Sequence, residues 1–142
     1  RSIWVTGVQT CALPIYYDDV VGEVRSFLQE RVSACVAAGI SRERIVVDPG
    51  IGFGKRVDHN LHLLASLPEL AELRLPILIG VSRKSMLGTL LDRPVEQRLA
   101  GGLAVAAAAV LAGASILRVH DVAETVDAVK IAAALKAAGY RV

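Results

Sequence analysis

Polar and charged side chains that could hold an anionic ligand follow three short apolar segments of this chain. They occupy residues 48–55 (DPGIGFGK), 82–85 (SRKS) and 118–121 (RVHD). Arginine can hold a diphosphate with its planar fork, and lysine supplies a compact positive charge. One acid facing several bases therefore predicts a ligand that combines a hydrogen-bonding ring with an anionic group.

Each of these residues also suits a structural role when it is taken alone. Asp48 precedes Pro-Gly and could cap a loop, and His120 could be a partly buried structural histidine. Arg83 could be a solvated surface side chain. The agreement of three polar segments, rather than any one residue, favours a ligand site.

Several better-known motifs are absent from the sequence. The loop at residues 50–55 lacks the spacing of a P-loop and of the dinucleotide fingerprint, and residues 82–85 lack the Ser-x-x-Lys spacing of an acyl-enzyme serine. His59 and His62 lie three residues apart, but no acid or cysteine completes a ligand set, so both are predicted to be surface histidines. We therefore expect no protein nucleophile and no metal ligand set in this chain.

The segments that must position the polar residues alternate between helix and strand. Capping residues such as Asp18 or Asp19, apolar spacing and Gly39 as a helix end predict the helices. Short continuous apolar runs predict strands of a parallel sheet that is buried on both faces. The predicted helices cover residues 19–38, 58–66, 94–112 and 121–138, and the predicted strands cover residues 44–48, 77–81 and 115–119.

Two α/β architectures fit this alternation. An open doubly wound sheet and part of an eight-stranded barrel both place helices between parallel strands. In both, a ligand meets the carboxyl ends of the strands, which is where the three polar segments lie.

Length, composition and charge limit the class of protein. The chain has 142 residues, of which 54% are hydrophobic, with a net charge of +2 and two cysteines. These values favour one globular domain, predict neither a nucleic-acid nor a membrane partner, and fit a reducing compartment.

Residues 99–117 carry no charge, but their alanines and glycines favour a packed helix followed by a strand over a membrane span. With no signal peptide visible, we expect a cytoplasmic protein.

Residues 1–15 differ from the remainder of the chain. Within them, the eleven residues from Val5 to Ile15 match, in order, one reading frame of a common short-read sequencing adapter. We therefore predict that residues 1–15 are a non-native segment and that residues 16–142 are the native part. A genuine strand and loop, beginning at Trp4, is the alternative.

The three polar segments together resemble dihydropteroate synthase. Residues 48–55, 80–85 (GVSRKS) and 118–121 occur in the family's order and at compatible spacing, and the similarity covers residues 16–142. The resemblance implies the C-terminal part of a (β/α)8 TIM barrel of the pterin-binding type. This part would comprise the last three β/α units and the helix before them. The remaining strands and the metal region would lie outside the chain, so we expect the fragment alone to be inactive.

The resemblance also implies an activity. Dihydropteroate synthase is a transferase of folate biosynthesis that joins (dihydropterin-6-yl)methyl diphosphate to p-aminobenzoate, with Mg²⁺, and releases diphosphate. Its partners would be these small molecules and, for the full-length family, a second copy in a homodimer. A corrinoid methyltransferase barrel that uses methyltetrahydrofolate and a non-catalytic ligand-binding module are the alternatives.

Site residues follow from the resemblance position by position. Ser85 would contact p-aminobenzoate, and Arg118 with His120 would hold the diphosphate. Lys84, Arg118 and His120 would be the catalytic residues. The residues implied to contact the pterin are Asp48, Phe53, Gly80, Ser82, Lys84 and Arg118.

Overall fold

Helices dominate the structure, a computed structural model that describes residues 16–140. Residues 1–15, predicted above to be adapter-derived, lie outside the described residues, and that prediction stays untested. The helices are α1 (Val20–Ala37), α2 (Val57–Ala65), α3 (Leu67–Ala71), α4 (Ser85–Leu91), α5 (Leu99–Leu111) and α6 (Val122–Ala137), and the strands are β1 (Leu78–Ile79) and β2 (Ile116–Leu117). Short 3-10 turns occupy Arg42–Arg44 and Val95–Gln97.

The ends of α1 agree with the capping prediction. The Asp19 carboxylate accepts a hydrogen bond from the Gly22 N–H at 3.0 Å, as an N-cap residue does. At the other end Gly39 has a φ of +91°, a conformation that glycine adopts without steric cost. The buried face of this helix is formed by Val20, Val24, Leu28 and Val32.

Two helices were missed and one begins later than predicted. Pro68 does not simply interrupt a helix, because it lies in the first turn of α3, where proline loses no hydrogen bond. Helix α4 begins at Ser85, the last residue of the second polar segment, where no element was predicted from the sequence. The helix expected from Pro94 begins only at Leu99, after the 3-10 turn.

The sheet is parallel, as predicted, but its regular strands are short. Leu78 pairs with Ile116 in a parallel register, and Ile79 pairs with Leu117. The first predicted strand contributes only one parallel bridge, between Val47 and Ile77. The order of the three segments in space is therefore the first, then β1, then β2.

Helices cover one face of this sheet in the described part of the chain. Alternate residues of the strand segments are buried against the helices, and these are Val47, Ile77, Ile79 and Val81. On the opposite face Val46 is 45% exposed and Ile116 is 40% exposed. The prediction of burial on both faces is wrong for the described residues, because no described element packs on this second face, here called the open face.

The uncharged segment at residues 99–117 forms a helix and then a strand, as predicted. Helix α5 ends at Leu111, Gly113 turns the chain with a φ of +109°, and β2 begins at Ile116. Among residues 16–140, no helix is both long enough and apolar enough to cross a bilayer.

Candidate functional site

The strand register places Asp48, Gly80 and Arg118 on the open face of the sheet. Asp48 follows the bridge at Val47, and its neighbour across the sheet on that face is Leu78. Gly80 and Arg118 follow β1 and β2 in the same register, and a Cβ built on Gly80 would lie 3.8 Å from the Cβ of Arg118. On this face Gly80 therefore leaves the position beside Arg118 without a side chain, whereas Leu78 lies beside Asp48.

The Asp48 carboxylate has the loop-capping role that the sequence allowed. Its Oδ1 accepts a hydrogen bond from the Gly50 N–H at 2.8 Å, which caps the turn after the strand. The residue is nevertheless exposed on the open face. A carboxylate that is oriented by its own loop in this way can accept further hydrogen bonds from a ligand.

The loop at residues 50–54 depends on its glycines. Gly50 and Gly52 have φ values of +71° and +79°, which glycine adopts without the steric cost that a Cβ brings. At Gly52 a Cβ would also lie only 2.8 Å from Cδ of Lys84. The loop therefore brings the Gly52 backbone against the side chain of Lys84, which a Cβ at this position would displace.

The side chains of Lys84 and Phe53 lie against each other where the glycine loop meets the second polar segment. The Lys84 Nζ lies 3.8 Å from the centroid of the Phe53 ring, within the range of a cation–π interaction. Phe53 keeps 47% of its surface exposed. The first and second polar segments thus form one continuous surface that combines an aromatic ring with a positive charge.

Ser82 and His120 connect the second and third polar segments. The His120 backbone N–H donates to the Ser82 Oγ at 3.2 Å, and the same Oγ lies 3.0 Å from the His120 Nδ1. The Ser82 hydroxyl thus holds both the backbone and the ring of His120 in place.

Arg83 and Asp121 form an ion pair. The Arg83 Nη2 lies 2.7 Å from Asp121 Oδ1 and its Nε lies 3.4 Å from Oδ2, so Arg83 is not merely solvated. Asp121 precedes α6, but its side chain binds Arg83 instead of capping the helix. The arginine lowers the pKa of the Asp121 carboxyl through this hydrogen bond. The pair fixes the second polar segment to the third.

His59 is buried, contrary to the prediction, whereas His62 is exposed as predicted. The His59 ring makes an edge contact with Tyr17 at 5.2 Å between centroids. Its Nδ1 accepts a hydrogen bond from the Arg56 N–H at 3.4 Å. His59 is a packing residue at the start of α2, because its ring lies against Tyr17, a contact that the local sequence does not reveal.

Residues 16–140 contain no group of three or more histidine, cysteine, aspartate or glutamate side chains that could hold a metal ion. The described residues thus offer no ligand set that would enclose a magnesium ion without ligands from elsewhere.

Asn60 was not predicted, yet it fixes the glycine loop. Its side chain is almost fully buried, and Oδ1 accepts a hydrogen bond from the Gly52 N–H at 2.7 Å. The amide nitrogen donates to the carbonyl oxygens of Arg56 at 2.8 Å and Lys55 at 3.4 Å. The sequence signal that could have identified it is an asparagine one helical turn after a glycine-rich loop.

Lys55 also acts inside this loop. Its Nζ donates to the carbonyl oxygens of Gly50 at 3.2 Å and Phe53 at 3.3 Å, and it lies 5.6 Å from the centroid of the Tyr17 ring. Burial lowers the pKa of the Lys55 ammonium, and the negative charge of Asp48 partly opposes that shift. Lys55 therefore stabilises the loop from within instead of facing the open side of the sheet.

Replacing Asn60 with leucine is expected to lower the free energy of unfolding by about 1–3 kcal/mol, because the buried Gly52 N–H loses its acceptor. Asn60→Asp keeps that acceptor but places an oxygen against the Arg56 carbonyl oxygen, where the asparagine has a donor. This variant should therefore also have a lower free energy of unfolding. Urea denaturation measures both changes. His62→Ala, which changes an exposed residue on the same helix, is the control. An Asn60→Leu protein that unfolds at the same urea concentration as this control would contradict the role assigned to Asn60.

Comparisons with known proteins identify relatives of this chain. A family model described as pterin binding enzyme matches residues 6–120. The dihydropteroate synthase of Haemophilus influenzae is 52% identical over 116 residues, which are 82% of this chain and 42% of that protein. The dihydropteroate synthase of Escherichia coli is 50% identical over 115 residues, which are 81% of this chain and 41% of that protein.

Solved structures give the same result. A Yersinia pestis dihydropteroate synthase with a sulfonamide drug complex superposes with a TM-score of 0.87 at 48% identity, over 92% of this chain and 47% of that one. The Xanthomonas albilineans enzyme in complex with 7,8-dihydropteroate gives 0.85 at 50% identity, over 88% of this chain and 48% of that one. The prediction of a (β/α)8 barrel segment is confirmed, and the chain spans less than half of the length of each relative.

The family match begins at residue 6 and thus includes part of the segment that was assigned to an adapter. The boundary at residue 15 stays a prediction.

Proposed function

Because the chain belongs to the pterin binding enzyme family, we propose that it is part of a dihydropteroate synthase. The whole enzyme would join a dihydropterin hydroxymethyl diphosphate to the amine of p-aminobenzoate and would release diphosphate. This chain would supply the portion of the site that lies at the carboxyl ends of three neighbouring strands.

One observation carries the proposal: Asp48 and Arg118 lie on the same open face, with Gly80 after the strand between them. A pterin presents an amino group and ring N–H groups along one edge, and an exposed carboxylate accepts from such donors. The space left by Gly80 suits a flat ring. Arg118 then lies on the side where the diphosphate of the same molecule would extend.

The remaining site residues are assigned to the diphosphate and to p-aminobenzoate. With its Nδ1 beside the Ser82 hydroxyl, His120 would turn Nε2 towards the diphosphate beside Arg118. Lys84 and Phe53 form a charged and aromatic surface where the glycine loop meets the second polar segment. Ser85, the first residue of α4, is exposed there and is assigned to the p-aminobenzoate side.

The reaction requires stabilisation of the negative charge on the leaving diphosphate, and it does not require a nucleophile from the protein. The bond between the pterin methylene carbon and the diphosphate oxygen breaks, and the electron pair leaves with the oxygen. The lone pair of the aromatic amine forms the new carbon–nitrogen bond, and the amine then loses a proton to solvent. Cations that are already in place at the diphosphate stabilise the negative charge as it develops.

Magnesium, a homodimer and a cytoplasmic location belong to the same proposal for the whole enzyme. The described residues do not form a metal site, so the magnesium ligands would come from other parts of the barrel. Exposed apolar residues on α6, including Ile131 and Leu135, support an association between copies. The corrinoid methyltransferase and the non-catalytic module considered above have no comparable support, because the relatives are named dihydropteroate synthases.

A chimera tests the proposed function in a complete barrel. Residues 16–140 replace the matching segment of the Haemophilus influenzae enzyme, to which this chain is 52% identical over 116 residues. We expect the purified chimera to form dihydropteroate and to release diphosphate at a rate comparable with that of the parent enzyme. The parent with the segment deleted is the control and should form no product. A folded chimera without activity, or one that does not fold, would contradict the proposal.

A further inference from the structure

Arg98 lies outside the three polar segments, immediately before α5, and it binds main-chain carbonyl groups in two separate loops. Its Nη1 donates to the carbonyl oxygen of Arg83 at 3.1 Å and lies 3.5 Å from that of Lys84. Its Nε donates to the carbonyl oxygen of Arg93 at 3.0 Å. One guanidinium group therefore connects the loop that carries Lys84 to the segment that leads into α5.

The loop at residues 82–85 needs such support. Arg83 has a φ of +60°, a left-handed conformation that is strained for a residue with a Cβ. Strained residues of this kind persist where the surrounding structure fixes them. Arg98 binds the carbonyl group of this same residue, while the side chain of Arg83 is held separately by Asp121.

Gly88 on α4 provides the space for the Arg98 guanidinium. A Cβ built on Gly88 would lie 2.5 Å from the Arg98 Cζ and 2.8 Å from its Nε, so even alanine would displace the group. The close approach of Arg98 to Gly88 indicates a specific contact between α4 and the start of α5. A solvated surface arginine would not require a glycine beside it.

We propose that Arg98 is a positioning residue for the transfer reaction, which it serves by fixing the backbone that presents Lys84 and Ser85. The inference rests on the proposed function. Arg98 contacts the backbone of the loop and not the open face of the sheet. Its effect should therefore appear in the chemical step and in the p-aminobenzoate interaction, and not in the pterin interaction of Asp48.

The kinetic test uses the full-barrel chimera. Arg98→Ala and Gly88→Ala should each lower kcat about 10- to 100-fold, since small displacements of catalytic groups have large effects on rate. The KM for p-aminobenzoate should rise, and the KM for the pterin diphosphate should stay within about twofold. Arg98→Lys should not restore kcat, because a single ammonium group does not reproduce the planar fork that reaches both loops.

Matched controls separate this role from general destabilisation. Gly102→Ala controls for Gly88→Ala, because a Cβ at Gly102 would have no neighbour within 4 Å. Arg93→Ala controls for Arg98→Ala, because it removes an exposed arginine while it keeps the backbone carbonyl that Arg98 binds. Both controls should have the kcat of the unmodified chimera.

Amide hydrogen exchange decides the role independently of activity. The Lys84 N–H donates to the Val81 carbonyl and the Leu87 N–H donates to that of Lys84, so both should exchange faster in Arg98→Ala than in Arg93→Ala. A chimera without activity would overturn the proposed function while exchange still tests Arg98. Unchanged exchange in Arg98→Ala, or a lowered melting temperature with an unchanged kcat, would overturn the positioning role.

Discussion

Arg118→Ala in the full-barrel chimera is expected to lower kcat by about 10²- to 10³-fold, the usual effect of removing a group that stabilises developing negative charge. Arg118 is exposed on the open face, and the hydrogen bond that fixes its place in the sheet runs from its backbone N–H to the Ile79 carbonyl at 2.9 Å. Alanine keeps that hydrogen bond. The rate should therefore fall while the melting temperature stays close to that of the unmodified chimera.

The measurement is steady-state release of diphosphate, with thermal unfolding of the same samples. Arg118→Lys keeps a positive charge but loses the planar fork, so its rate should lie between those of the unmodified chimera and Arg118→Ala. Arg31→Ala, which removes an exposed arginine on α1, is the control and should leave the rate unchanged. A near-normal rate in Arg118→Ala would exclude the role at the diphosphate.

Lys84→Ala should have an effect of similar size for a different reason. Its side chain lies against Gly52, and its ammonium lies over the ring of Phe53. Alanine removes both the charge and the contact that joins the glycine loop to the second polar segment. We expect kcat to fall by about 10²-fold or more, as for other groups that act directly at reacting atoms.

Lys84→Met separates the charge from the packing. Methionine keeps an unbranched apolar chain of similar reach against Gly52 and Phe53 but carries no charge. If the charge is what matters, Lys84→Met should be as slow as Lys84→Ala while its thermal stability stays near that of the unmodified chimera. Product formation and thermal unfolding measure the two effects. A methionine variant with a near-normal rate would show that Lys84 acts by packing alone.

Local patterns were sufficient to predict the segments that carry the site. Short apolar runs followed by polar residues identified three parallel strand segments, and capping residues identified the first turn of α1 and its last turn at Gly39. These features depend on neighbours within about one helical turn, so periodicity and residue type reveal them. The same local patterns overestimated the strands, because strand length depends on pairing with partners that are distant in sequence.

The residues that support the site were missed for the same reason. Asn60 and Arg98 look like ordinary polar residues in the sequence, and His59 looks like a surface histidine. Asn60 reaches a loop eight residues away, and Arg98 reaches carbonyl groups up to fifteen residues away. Whether such a side chain is buried, and which carbonyl it meets, is decided only when separate elements pack together.

The sequence by itself determined the alternation of helices and strands and the order of the polar segments along the chain. Only the tertiary structure decided that Asp48 and Arg118 share one open face, that Lys84 lies over Phe53, and that Asp121 binds Arg83 instead of capping α6. The physical reason is that helix and turn preferences act between near neighbours. Strand register and side-chain partners are set by contacts between segments that are far apart in the chain.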